Sequence, residues 1–344
     1  MGADWRRTVA SVVAVVLILA LAVVYGVRTR SGPERFSDHR LLMGTIVSVT
    51  VYAESEAEAS EAMEAAFEEI ERIESVTSRY REDSEVSRLN RRANGEERVE
   101  IDRVVAQIVG QSMALSEMTG GAFDVTIAPV VDLWHLDEDM ELPDPELIRE
   151  ALTRVSYSKA RVATHGRALT LPVDMAIDLA GVAKGFAVTR AARELRRAGI
   201  ESGIVDAGGD VGLLGPAPHG PAWRVGIKHP RLDGLIAILD LEGGSVATSG
   251  DYQRYAVIDG VRYHHIIDPE TGYPARGTLS ATVVTERALN ADALATAVFV
   301  MGPVRGMSFV EATEGVEAVI VAGEESVEEV LVSSGLRERI ELVE

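Results

Sequence analysis

Cysteine is absent from this 344-residue chain. That excludes disulfide scaffolds, thiolate zinc sites, iron–sulfur clusters and cysteine nucleophiles together, and lipidation through cysteine as well. Lysine is scarce, with only Lys159, Lys184 and Lys228. Positive charge is in deficit overall: Lys+Arg is 34 against Asp+Glu 54, a net charge of -20. Such a surface repels a polyphosphate backbone, so a nucleic-acid-coating role is excluded. No G-x-G-x-x-G follows a strand and no G-x-x-x-x-G-K-[ST] occurs, so dinucleotide-fold and P-loop readings lack their fingerprints. H-E-x-x-H and G-x-S-x-G are missing too. With neither cysteine nor a serine elbow, any nucleophile must come from the substrate or from water.

The hydrophobic content of 47% with 26% charged residues is that of a folded globule. The length suits one large domain or two ordinary ones. Val9 to Val27 is an almost unbroken apolar run of 19 residues preceded by Arg6 and Arg7. As a helix it would be roughly 28 Å long, near the hydrocarbon thickness of a bilayer. An uncleaved signal anchor is expected, although Ala20-Leu21-Ala22 offers a small-residue cleavage site. Arg28, Arg30, Arg35 and Arg40 follow the run, so positive charge by itself does not favour an exported C-terminal part. Residues 1–35 are therefore expected to form a transmembrane helix and linker, leaving 36–344 as the folded body.

Within that body Thr45 to Val51 alternates with β-branched residues and reads as a strand. Ser55 with Glu58 opens a helix to about Ser75, and Asp102 caps a second that Gly120-Gly121 ends. A third helix is expected from Val182 to Ala198. Strands are expected at Gly203–Asp206, Arg224–Lys228, Leu235–Leu239 and Leu279–Val284, with a hairpin turning at Asp259-Gly260. Then follow a helix from Ala291 to Val300, another helix, a strand at Ala318–Val321 and a last helix opened by Ser326 with Glu329. Hairpins mixed with helices make this an α+β fold.

Four segments carry groups suited to chemistry. In Asp178-Leu179-Ala180-Gly181-Val182-Ala183-Lys184-Gly185, the glycines allow close backbone approach and a helix start favours an anion. Lys184 in the first turn would add a point charge suited to phosphate, and Asp178 would accept hydrogen bonds from a sugar hydroxyl or ring NH. In Ala207-Gly208-Gly209-Asp210 the paired glycines permit either a tight turn or an amide nest around phosphate. Asp292 and Thr296 are four apart and share a helix face, where a carboxylate and a hydroxyl suit one hard cation; an acidic residue near a helix start can equally be only a cap. His264-His265 enters an Asp268-Pro269 turn, which places a general base at a strand end or simply two ordinary histidines.

Taken in order, these segments resemble the FAD:protein FMN transferase (ApbE) family over roughly 40–322. The series runs through Met43-Gly44-Thr45, Ser78-Arg79-Tyr80 with Asp83-Ser84-Glu85 and Leu89-Asn90, and Gly120-Gly121-Ala122-Phe123-Asp124. Asp178–Gly185, Asp206–Asp210, Ala247–Tyr252, His265–Gly272 and Ala291–Thr296 complete it. The resemblance implies a single ApbE-type α+β domain that uses Mg²⁺ and moves FMN from FAD onto a threonine or serine of an acceptor protein, releasing AMP. It implies that Met43, Tyr80, Ala122, Phe123, Asp124, Asp178, Lys184 and Ile267 contact FAD. Mg²⁺ would lie among the Gly181 carbonyl, Asp292 and Thr296, and His265 would take the acceptor's proton. Ala180 stands where a second glycine is common, and no anchoring cysteine exists, so the Val9–Val27 helix would take that role. The acceptor implied is a subunit of an Nqr- or Rnf-type or related reductase, with the catalytic domain on the outer face of the cytoplasmic membrane. Two alternatives share these residues: an FAD pyrophosphatase giving free FMN and AMP, and a non-catalytic flavin carrier or assembly factor.

Overall fold

The structure is a computed structural model that describes residues 32–93, 95, 97–135, 142–162 and 168–343. The apolar run Val9–Val27 lies outside the described residues. Among those described, no helix is long and apolar enough to cross a membrane.

In chain order the elements are β1 (Glu34–Leu42), β2 (Thr45–Ala53), α1 (Glu56–Thr77), α2 (Glu85–Arg91), β3 (Val99–Glu100), α3 (Arg103–Met118), α4 (Ala128–Val131), α5 (Pro145–Leu152), β4 (Arg161–Val162) and β5 (Ala168–Thr170). There follow α6 (Ala180–Arg197), β6 (Ser202–Ala207), β7 (Asp210–Leu214), β8 (Trp223–Lys228), β9 (Leu235–Leu241), β10 (Gly244–Gly250), β11 (Tyr255–Ile258) and β12 (Val261–His264). The last are β13 (Thr278–Thr285), α7 (Ala288–Met301), α8 (Pro303–Glu311), β14 (Glu317–Gly323), β15 (Val327–Val332) and β16 (Ile340–Leu342).

The framework is an eight-stranded sheet in the order β1-β2-β6-β7-β10-β13-β14-β15. Every neighbouring pair in it is antiparallel. Helices α1, α6 and α7 pack together on one face. The expected capping groups are in place: Ser55 accepts from Glu58 N at 3.3 Å and Asp102 from Val104 N at 2.7 Å. Helix α1 buries Ala59, Ala62, Met63, Ala66, Phe67, Ile70 and Ile73, a stripe at helical spacing directed at the sheet. A smaller sheet, β16-β9-β8, covers part of the opposite face and shares a second apolar cluster with it. Strands β13 and β14 are thus buried on both faces: Ala281, Val283, Ala318 and Ile320 belong to the helical side, Leu279, Val284, Val319 and Val321 to the other. This is the α+β class that hairpin signals and helix signals together imply.

One reading is overturned. The stretch after Ser326 is not a helix but strand β15, which pairs with β14. A capping-box pattern satisfies only two or three amides, whereas the edge of β14 offers a full ladder, and Val327, Val330 and Val332 pack against the second cluster. Helices α6 and α7 also begin earlier than expected, at Ala180 and Ala288.

Candidate active site

The start of α6 sets the geometry. Because the helix begins at Ala180, Lys184 falls in the second turn rather than the first. Its ammonium is directed sideways at two carboxylates: it is ion-paired with Asp210 at the start of β7 and lies 3.8 Å from Asp292 on α7. Gly185 makes this possible. A Cβ there would sit 2.2 Å from the Ala288 carbonyl oxygen and 2.7 Å from the Asp292 Cβ, so only glycine lets α6 and α7 approach this closely. The Gly185 N–H donates to Asp292 Oδ2 at 2.9 Å. In a regular helix that proton would serve the Gly181 carbonyl; here it is shared with or diverted to a neighbouring helix.

Asp292 is therefore not a helix cap. It is 4% exposed, and burial together with the nearby negative charge of Asp210 pushes its carboxyl up to about 7. The same pair of carboxylates holds the Lys184 ammonium well above the ordinary lysine range. Thr296, one turn on, has its hydroxyl 3.2 Å from Ser249 Oγ, and a Cβ at Gly181 would be 3.7 Å from it. Gly181 thus lies beside Thr296, which is one turn from Asp292 on α7. One carboxylate, one hydroxyl and one carbonyl are hard oxygen donors and fit a Mg²⁺-like cation that keeps waters for its other positions. Among the described residues no group of three or more His, Asp or Glu side chains is arranged to hold a metal.

His265 follows directly on β12, within electrostatic range of Lys184. Its backbone N–H and Nδ1 both approach the Arg254 carbonyl, at 3.1 and 3.3 Å. A carbonyl only accepts, so Nδ1 carries the proton and Nε2 keeps the lone pair. Burial, with the positive fields of Arg254 and Lys184, lowers its pKa to about 4, so the ring is a neutral base at physiological pH. The two neighbouring candidates are otherwise engaged. His264 is buried, donating Nε2–H to the Ala275 carbonyl at 2.8 Å and accepting from Ile266 N at Nδ1. Asp268 accepts from Glu270 N at 2.9 Å and from the Thr271 hydroxyl at 3.1 Å, which closes the turn.

Two tight turns lie near these groups. Met43 and Gly44 join β1 to β2 with φ of 53° and 71°, and Gly208 and Gly209 join β6 to β7 with φ of 66° and 99°. Both are left-handed hairpin turns, so the paired glycines serve a turn rather than an amide nest. Gly208 rests against Thr45, whose Oγ1 would be 2.4 Å from a Cβ there. Met43 holds a conformation that glycine or asparagine ordinarily supplies, a strained position beside a site.

The remaining expected residues are placed as follows. Asp178 accepts from Ala180 N at 2.8 Å and from Arg79 at 3.1 Å, while Arg79 also pairs with Asp132 and lies 5.5 Å under the Tyr80 ring. Tyr80 itself is 67% exposed, a flat surface open to a ligand. Phe123 is buried, its ring edge against Gly181, and Ala122 is buried beside it. Asp124 faces inward: it accepts from the Thr126 N–H and hydroxyl at 2.8 and 2.7 Å and from Tyr157 N at 2.9 Å. Ile267 packs in a third apolar cluster with Val130, Trp134, Ile148 and Ala151. Sequence reasoning passed over the roles of Asp210, Ser249, Arg79 and Arg254. The first three stand inside quoted motifs and were legible as neighbours, whereas nothing in the spacing signals Arg254.

Comparison with known proteins is consistent in every direction. The ApbE family model matches residues 43–320. The chain is 32% identical to the FAD:protein FMN transferase of Treponema pallidum, covering 96% of this chain and 95% of the relative, and 35% identical to that of Vibrio cholerae over 77% and 80%. Among solved structures it is similar to the ApbE protein of Thermotoga maritima, with TM-score 0.81 and 35% identity over 88% of this chain and 98% of that one. The apo flavinyl transferase ApbE of Pseudomonas stutzeri is similar too, with TM-score 0.79 and 27% identity over 88% and 96%.

Proposed function

This chain belongs to the ApbE family, and from that premise we propose that it is an FAD:protein FMN transferase that moves FMN from FAD onto a threonine or serine hydroxyl of an acceptor protein, releasing AMP. The observation that carries the reading is the oriented, neutral His265 imidazole within electrostatic range of Lys184, itself set between Asp210 and Asp292. In the step proposed, His265 Nε2 takes the acceptor's hydroxyl proton as that oxygen bonds to the FMN phosphorus. The bond from that phosphorus to the bridging oxygen breaks, and AMP leaves with the oxygen. A base of this kind typically contributes 10²–10⁴-fold.

Gly181, Asp292 and Thr296 would hold Mg²⁺, which when bound supplies neutralising charge to the pyrophosphate oxygens. The chain's own residues orient the substrate. Tyr80 and Met43 offer an aromatic and a soft surface for the flat rings, and Phe123 backs the glycine that lines the cation cluster. Asp178 is fixed by Arg79 and the first amide of α6. The acceptor proposed is a subunit of an Nqr- or Rnf-type or related reductase. The Val9–Val27 run supports a membrane anchor, and the outward placement of the catalytic domain rests on the family resemblance alone.

The test is direct. The chain is mixed with FAD, Mg²⁺ and a threonine-containing reductase domain, and intact mass is read for added FMN alongside an AMP assay. FMN on the acceptor together with AMP is the expected result. AMP and free FMN with no labelled acceptor would establish hydrolysis instead, and FAD bound but never cleaved would establish a carrier.

A further inference from the structure

The charge balance of the cleft leaves the substrate's pyrophosphate short of a cation. Lys184, the only lysine at the site, is already enclosed by two carboxylates: Asp210, with which it is ion-paired, and Asp292 at 3.8 Å. The single charge of Lys184 is thus matched by protein carboxylates before any substrate binds, and Asp206 adds a further carboxylate close to Asp210. His265 is neutral. A pyrophosphate diester brings two more negative charges. One divalent cation offsets only part of that total, and charge that develops during phosphoryl transfer has to be met by a donor already in place.

We propose that Arg254 is a substrate-binding residue whose guanidinium engages the pyrophosphate of FAD; this rests on the transferase reading above. Three observations place it there. Its carbonyl receives His265 at both N and Nδ1, so its backbone is fixed beside the base. Its Nη2 lies 3.6 Å from where a Cβ on Gly44 would stand, so the side chain reaches across to the Met43–Gly44 turn. Its positive charge also acts on both Lys184 and His265, which puts it on the same side of the cleft as the base and the carboxylates. Arg254 is an exposed residue at the mouth of the site, and a guanidinium presents the planar fork that matches phosphate oxygens in pairs.

The segment that carries Arg254 is anchored independently. Asp251, 5% exposed, is gripped by Arg231 through two hydrogen bonds of 2.7 and 2.6 Å, and its N–H donates to the Leu279 carbonyl at 3.1 Å. Gln253 Nε2 donates to the Thr248 carbonyl at 3.2 Å. Beyond Arg254 the chain enters the β11–β12 ribbon, which turns at Asp259-Gly260 and returns to place His264 opposite Tyr255. The base and the proposed phosphate ligand are thus the two feet of one hairpin. That arrangement also explains why no sequence spacing reveals the pair, since 11 residues separate them and only the ribbon's register brings them together.

The test compares FAD with riboflavin, which carries the same ring system but no pyrophosphate. The full chain, Arg254→Met and Arg254→Lys are titrated with each flavin by fluorescence, and FMN transfer is followed by intact mass. Circular dichroism confirms that the variants fold. We expect Arg254→Met to raise the FAD dissociation constant about tenfold and to leave riboflavin affinity unchanged. Transfer should fall about 10²–10³-fold, and Arg254→Lys should recover part of both losses. FAD affinity within twofold of the parent, or an equal loss for both flavins, would overturn the assignment. A parent chain that binds FAD yet labels no acceptor would overturn the transferase reading, while the contrast between the two flavins would still decide Arg254.

Discussion

Replacing Gly185 by alanine tests whether the approach of α6 to α7 builds the site. The added methyl would stand 2.2 Å from the Ala288 carbonyl oxygen, 2.7 Å from its carbon and 2.7 Å from the Asp292 Cβ. Ordinary contacts of this type begin above about 3 Å, so relief requires α6 and α7 to part by about 1 Å. Two of the three atoms are backbone, which cannot swing aside. Overpacking of this kind costs about 1–3 kcal/mol, partly offset by about 1 kcal/mol gained when a helical glycine becomes alanine. Net destabilisation should therefore be modest, from near zero to about 2 kcal/mol. Activity should suffer far more, because the displaced atoms bear Asp292 and Lys184, and a misplacement of about 1 Å costs on the order of 10²-fold. Gly110 is the control: it lies in α3 with nothing within 4 Å of its Cβ position. Gly110→Ala should raise stability by up to about 1 kcal/mol and leave transfer untouched. Urea unfolding and FMN incorporation measured on both variants decide the matter. If Gly185→Ala matches Gly110→Ala in both assays, the argument from close approach is wrong.

Asp292→Asn keeps the volume and an oxygen for the Gly185 N–H, but removes a carboxylate that burial has pushed up to about 7. Its thermal midpoint should equal or exceed the parent's, with FMN transfer down at least about 100-fold; a normal rate would remove Asp292 from the cation cluster. His265→Gln should lower transfer about 10²–10⁴-fold while FAD affinity stays within about twofold, and a large loss of FAD binding instead would make the imidazole a ligand rather than the base. Acid should destabilise the fold through His264, whose folded pKa is depressed to about 4 by burial. The unfolded chain takes up the proton near pH 6.5 and the folded chain does not, so stability is complete above that value and falls as pH drops toward 4. Between pH 7.5 and 5 this one ring should cost about 2 kcal/mol. His264→Gln should flatten that slope in urea titrations, and an unchanged slope would count against the assignment.

Much of the site was legible because its chemistry is local. Asp178 to Gly185 and Asp292 to Thr296 each lie on one helix start or face, where spacing of three and four residues already says which groups meet. The hairpin at Asp259-Gly260 and the cap at Asp102 were legible for the same reason. Ser326 with Glu329 misled because a local cap motif was weighed without the open edge of β14, which no neighbouring residue announces.

By itself, then, the order of residues determined which groups exist: a chain without thiols, one lysine beside a helix start, a carboxylate and hydroxyl one turn apart, and two histidines before a turn. Only the tertiary structure decided how they act. It gave His264 partners at both ring nitrogens, whereas His265 Nδ1 meets the Arg254 carbonyl. It turned Asp124 inward to hold Thr126 and Tyr157, and enclosed Lys184 between Asp210 and Asp292 across three separate elements. The physical reason is that charge, burial and hydrogen-bond direction depend on neighbours remote in sequence, and strand register and helix approach alone select those neighbours.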